Sequence, residues 1–423
     1  MMETTSSGLP VGDVKIVREV AARVAELAAL PVHQETVRLW EGLNGLRPER
    51  AMCMIDEIPW HEMSVDDELT VVSTHPFAQE LETKLRRELY RWNHMRVDMV
   101  VEPYVDVKKV IDRPGWGIRI AEDTIAQGGG VVQSHHYEDQ LPNPEDVEKF
   151  RVLEPSLDIE RTAEREARAH ECLDGLLGVR MQGLTGFNGD ELAFPLWDDI
   201  EQFRGTEPIL LDFMDRPEHL HAIAARLTEV RLAELDILEA KGLLGYGNDR
   251  IHCTGAHTTE LPKDGFDAAR PRAIDTWTVG RSQLFVSVGD ATFDEFVPQY
   301  YAQWYERFGL GYFGCCDPLH SRIDSVRKIP NVRKISISAW ANVQKAAENI
   351  GPDFVFSRKP NPAVVAMDEW VPGLVEKDFR DVLEVTRANG CPVEFTLKDI
   401  STCRSDPRRL WEWAEIASRM VRG

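Results

Sequence analysis

A chain of 423 residues with 43% hydrophobic content can bury a large core, as two ordinary domains or as one barrel with an appended segment. Its 71 acidic residues outnumber 49 basic ones, giving a formal net charge of -22, and no Lys/Arg-rich run interrupts the excess, which argues against nucleic acid or an anionic membrane as partner. The opening "MMETTSSGLPVGDVK" lacks the blocks of a secretion signal, no apolar run approaches the ~20 residues of a membrane helix, and seven scattered cysteines without a CxxC fit a reducing compartment; a cytoplasmic location is expected.

In chain order, "VKIVREVAARVAELAAL" and "HPFAQELETKLRRELYRW" have apolar residues at helical spacing, so residues 1–95 read as a mainly helical extension. Residues 96–423 then read as the catalytic unit, opening on the strand-like "VDMVVEPYVDV" and an irregular tract with a Gly-rich turn at 128–130. From about residue 175, short apolar segments alternate with amphipathic helices. The last third is clearest: "LGYFGCC", "RKISIS", "DFVFS" and "PVEFTL" each precede a helical pattern, with Asp406-Pro407 as a helix start and Gly351 and Asn389-Gly390 as stops. Repeated strand-helix units imply parallel strands with right-handed crossovers. No GxGxxG succeeds any of these strands, so the α/β fold expected is a (β/α)8 barrel rather than a nucleotide-binding open sheet.

The reactive residue types cluster just past the strand ends. The segments "CCDPLH", "SAW", "SRKPNP" and "KDIST" gather on one face of such a barrel, where catalytic groups collect. Neighbouring side chains on a strand alternate, so one of Cys315 and Cys316 is expected to face the site; Cys316, nearer the strand end, is the candidate, against two buried small hydrophobes. "RIHCTGAHTTELP" adds His252, Cys253, His257 and Glu260, types that with Cys316 make a chemically sensible zinc set, against a hydrogen-bonded loop. Arg358 is read as a bidentate clamp and Lys398 with Asp399 as a group that orients or protonates a leaving atom, with Lys359 beside the substrate; a salt-bridge network is the structural alternative. Trp340 is a candidate pocket floor, Glu102 a candidate acid, and the neighbours His135 and His136 candidates for substrate contact and acid-base work, against a solvated loop.

On "FRGTEPILLDFMDRPEHL", "FGLGYFGCCDPLHSRIDSVRKIPNVRKISIS" and "AENIGPDFVFSRKPNPA", the chain from about Glu207 onward resembles the uroporphyrinogen decarboxylase superfamily, nearer its corrinoid-dependent methyltransferases than the decarboxylases. The resemblance implies a (β/α)8 barrel that passes a methyl group from a small donor, of methyl-ether or methylamine type, to a corrinoid (cobalamin) carried by a partner protein, with zinc as a further cofactor. It leaves homo-oligomerisation open. The departures are specific. The propionate-binding arginine segment of the decarboxylases has no counterpart in the first ~60 residues, and where the zinc methyltransferases carry His-x-Cys and a later Cys, this chain has Gly314-Cys315-Cys316 and Ser357. The alternatives are a lyase or decarboxylase acting on a small carboxylated substrate, and a non-catalytic ligand-binding barrel.

Overall fold

The computed structural model describes residues 5–125, 134–186, 192–247 and 249–423; the Gly-rich turn at 128–130 lies outside them. Helical periodicity decides the N-terminal layer. Helices α1 (Val11–Ala28), α2 (Val32–Asn44) and α3 (Pro76–His94) form, α1 burying Val17, Val20, Ala21 and Val24 and α3 burying Phe77, Leu81, Leu85 and Leu89. These two faces share a core with Val105, Val107 and Cys172. Between α2 and α3 lies an element that sequence reading missed: Met52–Ile55 is a strand, β1, with all four residues buried. A run of four apolar residues shows no periodicity of either kind, and its burial on both faces is a tertiary fact.

The whole is an α/β architecture around a parallel sheet of six strands. After β1 come β2 (Trp277–Gly280), β3 (Leu310–Phe313), β4 (Val332–Ile337), β5 (Val355–Arg358) and β6 (Val393–Leu397), ordered β1-β6-β5-β4-β3-β2 with every neighbouring pair parallel. Three of the four helices expected in the last third succeed their strands at Val343–Ile350, Pro372–Ala388 and Arg408–Arg422, whereas the segment after β3 forms only two short turns, Leu319–Ser321 and Ile323–Val326. Their boundaries use the anticipated residues: Gly351 ends its helix at φ 52, Asn389 follows the last residue of the next, and Pro407 caps the last; the Asn342 side chain, not foreseen, accepts from Lys345 N. Ladder pairing among the described residues does not close the sheet into a ring of eight. Beyond β2 and β1 lie a separate parallel pair, Tyr104–Lys108 with Gly178–Gln182, and single parallel bridges at Leu184 with Leu244 and Phe194 with Gly280. No helix among the described residues is long and apolar enough to cross a membrane.

Alternation along β4, β5 and β6 gives the sheet two unlike faces. Ile335, Ile337, Phe356, Phe395 and Leu397 join the main apolar core, whereas Lys334, Ser336, Ser357, Lys359, Glu394 and Thr396 are buried on the other side. An antiparallel hairpin, Arg250–Ile251 with Thr254–Gly255, fills the space over that polar face. Lys334 Nζ reaches Glu394 Oε2 at 2.7 Å, the Gly255 carbonyl at 2.8 Å and Thr254 Oγ1 at 3.2 Å. Glu394 also accepts from Thr254 Oγ1 at 2.8 Å and Ser357 Oγ at 2.6 Å. Gly255 has to be glycine, because a Cβ there would sit 2.6 Å from the Trp40 ring.

A buried ion pair costs most when half of it is removed. Lys334→Met is therefore expected to lower unfolding free energy by ~3–5 kcal/mol in urea titration, with most of that loss recovered in Lys334→Met/Glu394→Leu. Equal losses in the single and double variants would contradict this account.

Candidate functional site

The C-terminal ends of β3 and β6 meet over the hairpin tip. β3 stops at Phe313, and Gly314 turns the chain at φ 95, where a Cβ would lie 2.5 Å from Leu319 Cδ1. Strand alternation therefore does not extend to the two cysteines, and their thiols come together: Cys315 Sγ and Cys316 Sγ are 3.6 Å apart. Asp317 closes the turn by accepting from Cys315 N at 3.1 Å. From the end of β6, Lys398 Nζ donates to Cys315 Sγ at 3.3 Å and pairs with Asp399 at 2.9 Å. Glu57, two residues beyond β1, accepts from Asp399 N at 2.9 Å and lies 3.8 Å from Lys398 Nζ. The hairpin turn, His252 at φ 26 and Cys253 at φ 70, completes the cluster; Cys253 Sγ is 3.5 Å from Glu57 Oε1.

This arrangement separates the two thiols electrostatically. The hydrogen bond from Cys316 holds the Cys315 pKa well below the thiol range against burial, and His252 and Lys398 add to the effect. Cys316 moves the opposite way, because it donates that bond, is half-buried and faces its neighbour's charge. Burial opposes the charge on Lys398, yet Cys315, Cys253, Glu57 and Asp399 together hold its pKa above the ordinary lysine value. The result is a buried ammonium-thiolate pair beside a neutral thiol, the environment that makes a cysteine chemically active.

Above the pair lies a cavity of about 440 Å³, with Cys315, Cys316, Lys359, Lys398 and Asp399 at its inner end and Trp340, Pro360, Pro362, Ala363 and Ala366 as walls. The structure thus brings together five of the sequence candidates, Cys316, Trp340, Lys359, Lys398 and Asp399. Trp340 is 71% exposed and forms the rim rather than the floor. His252 and Cys253 sit beneath, at the hairpin turn. Sequence reasoning misses Cys315 and Glu57: strand alternation does not hold two and three residues past Phe313, where Cys315 and Cys316 lie, and nothing in "IDEIPW" ties Glu57 to a site.

The remaining candidates lie elsewhere. Arg358 falls on the opposite side of β5 from Ser357 and Lys359, donating to Ser338 O at 2.8 Å and Asp378 at 2.9 Å, so it anchors the helix Pro372–Ala388 instead of lining the cavity. Glu260 is bound by Arg333, at 3.0 Å for one of two contacts. His257 lies 3.6 Å from Glu102 in a different cavity, where burial lowers the histidine to about 4 and burial beside Asp249 raises Glu102 to about 7. His135 and His136 are exposed on the strand Ser134–Tyr137, His135 bonded to Glu122 at 2.8 Å.

The zinc set Cys316, His252, Cys253, His257 and Glu260 is accordingly dispersed. Among the described residues no group of three or more His, Cys, Asp or Glu is arranged to hold a metal ion, and at the thiols the Lys398 ammonium stands where a cation would be held. The residues present do not fit the zinc site that the resemblance implies.

No protein-family model matches the chain, and no curated protein does. Among solved structures, a methyltransferase from Methanosarcina mazei is similar with a TM-score of 0.49 and 11% identity, over 90% of this chain and 97% of that one. Folds shared at such identity host unrelated chemistries.

The thiolate is expected to absorb in the ultraviolet below neutral pH, where a free thiol of pKa ~8.5 is protonated. Removing the neighbouring cation in Lys398→Met raises the Cys315 pKa and moves the titration upward, and Cys315→Ser abolishes the signal; an unmoved profile in Lys398→Met would refute the pairing. Arg358→Ala, by contrast, is expected to cost ~1–3 kcal/mol in denaturant titration through its unpaired neighbours, with thiol titration unchanged.

Proposed function

We propose that the chain is a methyltransferase that moves a methyl group from a small methyl ether or methylamine to a corrinoid carried by a partner protein. The observation that carries this reading is the cavity itself: apolar walls of Trp340, Pro360, Pro362, Ala363 and Ala366 over an inner end of Cys316, Lys398 and Asp399. Such a pocket suits a small organic molecule held by its apolar body, with one heteroatom aimed at proton-bearing groups. The sequence resemblance of the back half, with "GCCDPLH" at the site, supports the same activity. A (β/α)8-type barrel belongs to this reading too; the separate parallel pair and the two parallel bridges support it.

The chemistry asks for little from the protein beyond positioning and a proton. As the carbon-heteroatom bond breaks, the methyl group leaves with its acceptor and the oxygen or nitrogen keeps the bonding electrons. Lys398 Nζ and Cys316 Sγ are the groups placed to donate a proton to it, and Asp399, 2.9 Å from Lys398, keeps that ammonium oriented. Lys359, buried in the lining, adds positive charge near the leaving atom. A corrinoid carried by a partner protein would meet the cavity at its mouth, where the exposed Trp340 ring offers an apolar contact. There the corrinoid would supply the nucleophilic cobalt. No step is assigned to zinc.

Incubation with free cob(I)alamin and a panel of methyl ethers and methylamines is expected to yield methylcobalamin, monitored by its absorbance. Lys398→Ala and Cys316→Ala should each slow it at least ~10-fold, which is ~1.4 kcal/mol at the transition state. Wild-type rates in both variants, or no methylation from any donor, would sink the proposal. Two buried lysines in the lining also favour a second reading, a lyase acting on a carboxylate; corrinoid-free release of carbon dioxide would select it.

A further inference from the structure

Two more cavities lie behind the mouth, between α3 and the inner hairpin, of about 380 and 550 Å³. They share four lining residues, Lys84, Glu88, Arg91 and Arg250, and so border one another. The helical spacing of Lys84, Arg87 and Arg91 turns three cations of α3 to one side, and Arg250 faces them from the hairpin. In a chain of net charge -22, four converging cations call for a counter-charge.

The protein itself supplies part of it, most of all at Arg250, whose pKa Asp56, Glu88 and Asp249 hold up. Arg91 reaches Ile55 O at 3.4 Å and Glu88 at 3.9 Å, and Arg250 is 3.6 Å from Asp56, all beyond a good charge-assisted bond. Lys84 Nζ donates to the Asp106 carbonyl at 3.0 Å. Arg87 stacks on Trp60 at 4.8 Å and has no carboxylate partner among the described residues. Glu80, with Asp56 and Glu88 one of the three carboxylates lining the larger cavity, is taken up by Arg165 at 2.8 Å. Burial lowers the pKa of both Arg87 and Arg91, as expected of charges left under-compensated. In the smaller cavity, past Arg91, Glu102 Oε1 and Asp249 Oδ1 are buried with no hydrogen-bond donor among the described residues, their ionic neighbours His257 and Arg180 each lying 3.6 Å away. Burial with Asp249 beside it raises Glu102 to about 7, which limits the repulsion these acids would exert on a neighbouring anion.

We propose that this double cavity binds a small hydroxylated anion, its phosphate or carboxylate held by Lys84, Arg87, Arg91 and Arg250 and its hydroxyls donating to Glu102 and Asp249. Guanidinium groups pair with either head group through two parallel hydrogen bonds. The site is separate from the thiol cavity and does not depend on the methyltransferase reading. It does touch the same hairpin: Arg250 begins the strand whose turn carries His252 and Cys253 to the mouth. Occupancy therefore bears on one side of the element that supports Cys315.

The test is calorimetric titration of the whole chain with inorganic phosphate, glycerol 3-phosphate, glycerate and glycerol, at constant ionic strength set with chloride. Saturable binding of glycerol 3-phosphate or glycerate is expected, at least ~5-fold tighter than inorganic phosphate, with none for glycerol. The preference between those two anions tells a phosphate head from a carboxylate one. Arg91→Ala should abolish binding, and Arg87→Gln, at the exposed rim and harmless to folding, should weaken it at least ~5-fold. Glu102→Gln should erase the advantage over inorganic phosphate. Absence of saturable binding for every anion, or binding indifferent to Arg87→Gln in a folded variant, would overturn the proposal.

Discussion

The Lys334–Glu394 pair is the constraint on which the site depends. A parallel sheet normally buries apolar side chains on both faces, but here one face of β4, β5 and β6 carries lysines, serines and a glutamate out of water. Charges so placed are tolerated only when nearly every lone pair and proton finds a partner. The hairpin Arg250–Gly255 supplies those partners through Thr254 and the Gly255 carbonyl. Its position is thereby fixed, and with it the turn that carries His252 and Cys253 to the C-terminal ends of the strands.

The same face explains why the mouth holds a thiolate. Lys398 continues the polar stripe of β6 to its end and arrives below Cys315, where burial would discharge it were there no anion. Cys315, Asp399 and Glu57 give it several. Each charge at the mouth is thus held in place by another, with the Cys316 thiol half-buried beside the pair.

How much of this is legible in the sequence depends on the range of each signal. The strand-helix rhythm of the last third is local, and its strands, caps and stops form where the pattern puts them, down to Gly351 and Pro407. Lys398, Asp399, Lys359, Trp340 and Cys316 are legible because residues just past parallel strands share one face. Arg358 is misassigned by a single position: alternation sends it to the helix side and Lys359 to the cavity. His257 and Glu260 group with Cys316 only by closeness in sequence to His252, and within a few residues of the hairpin the chain has already left the mouth.

The sequence by itself determined the class of fold, the parallel strands of the last third and the face on which reactive residues collect, because these arise from periodicities of two and 3.6 residues. Only the tertiary structure decided that Met52–Ile55 joins that sheet, that a hairpin from residues 250–255 lines its polar face, and that Glu57 and Cys315 meet Lys398. These contacts join residues up to 342 positions apart, as Asp399 with Glu57 are, and no local pattern encodes which distant charge will satisfy a buried one.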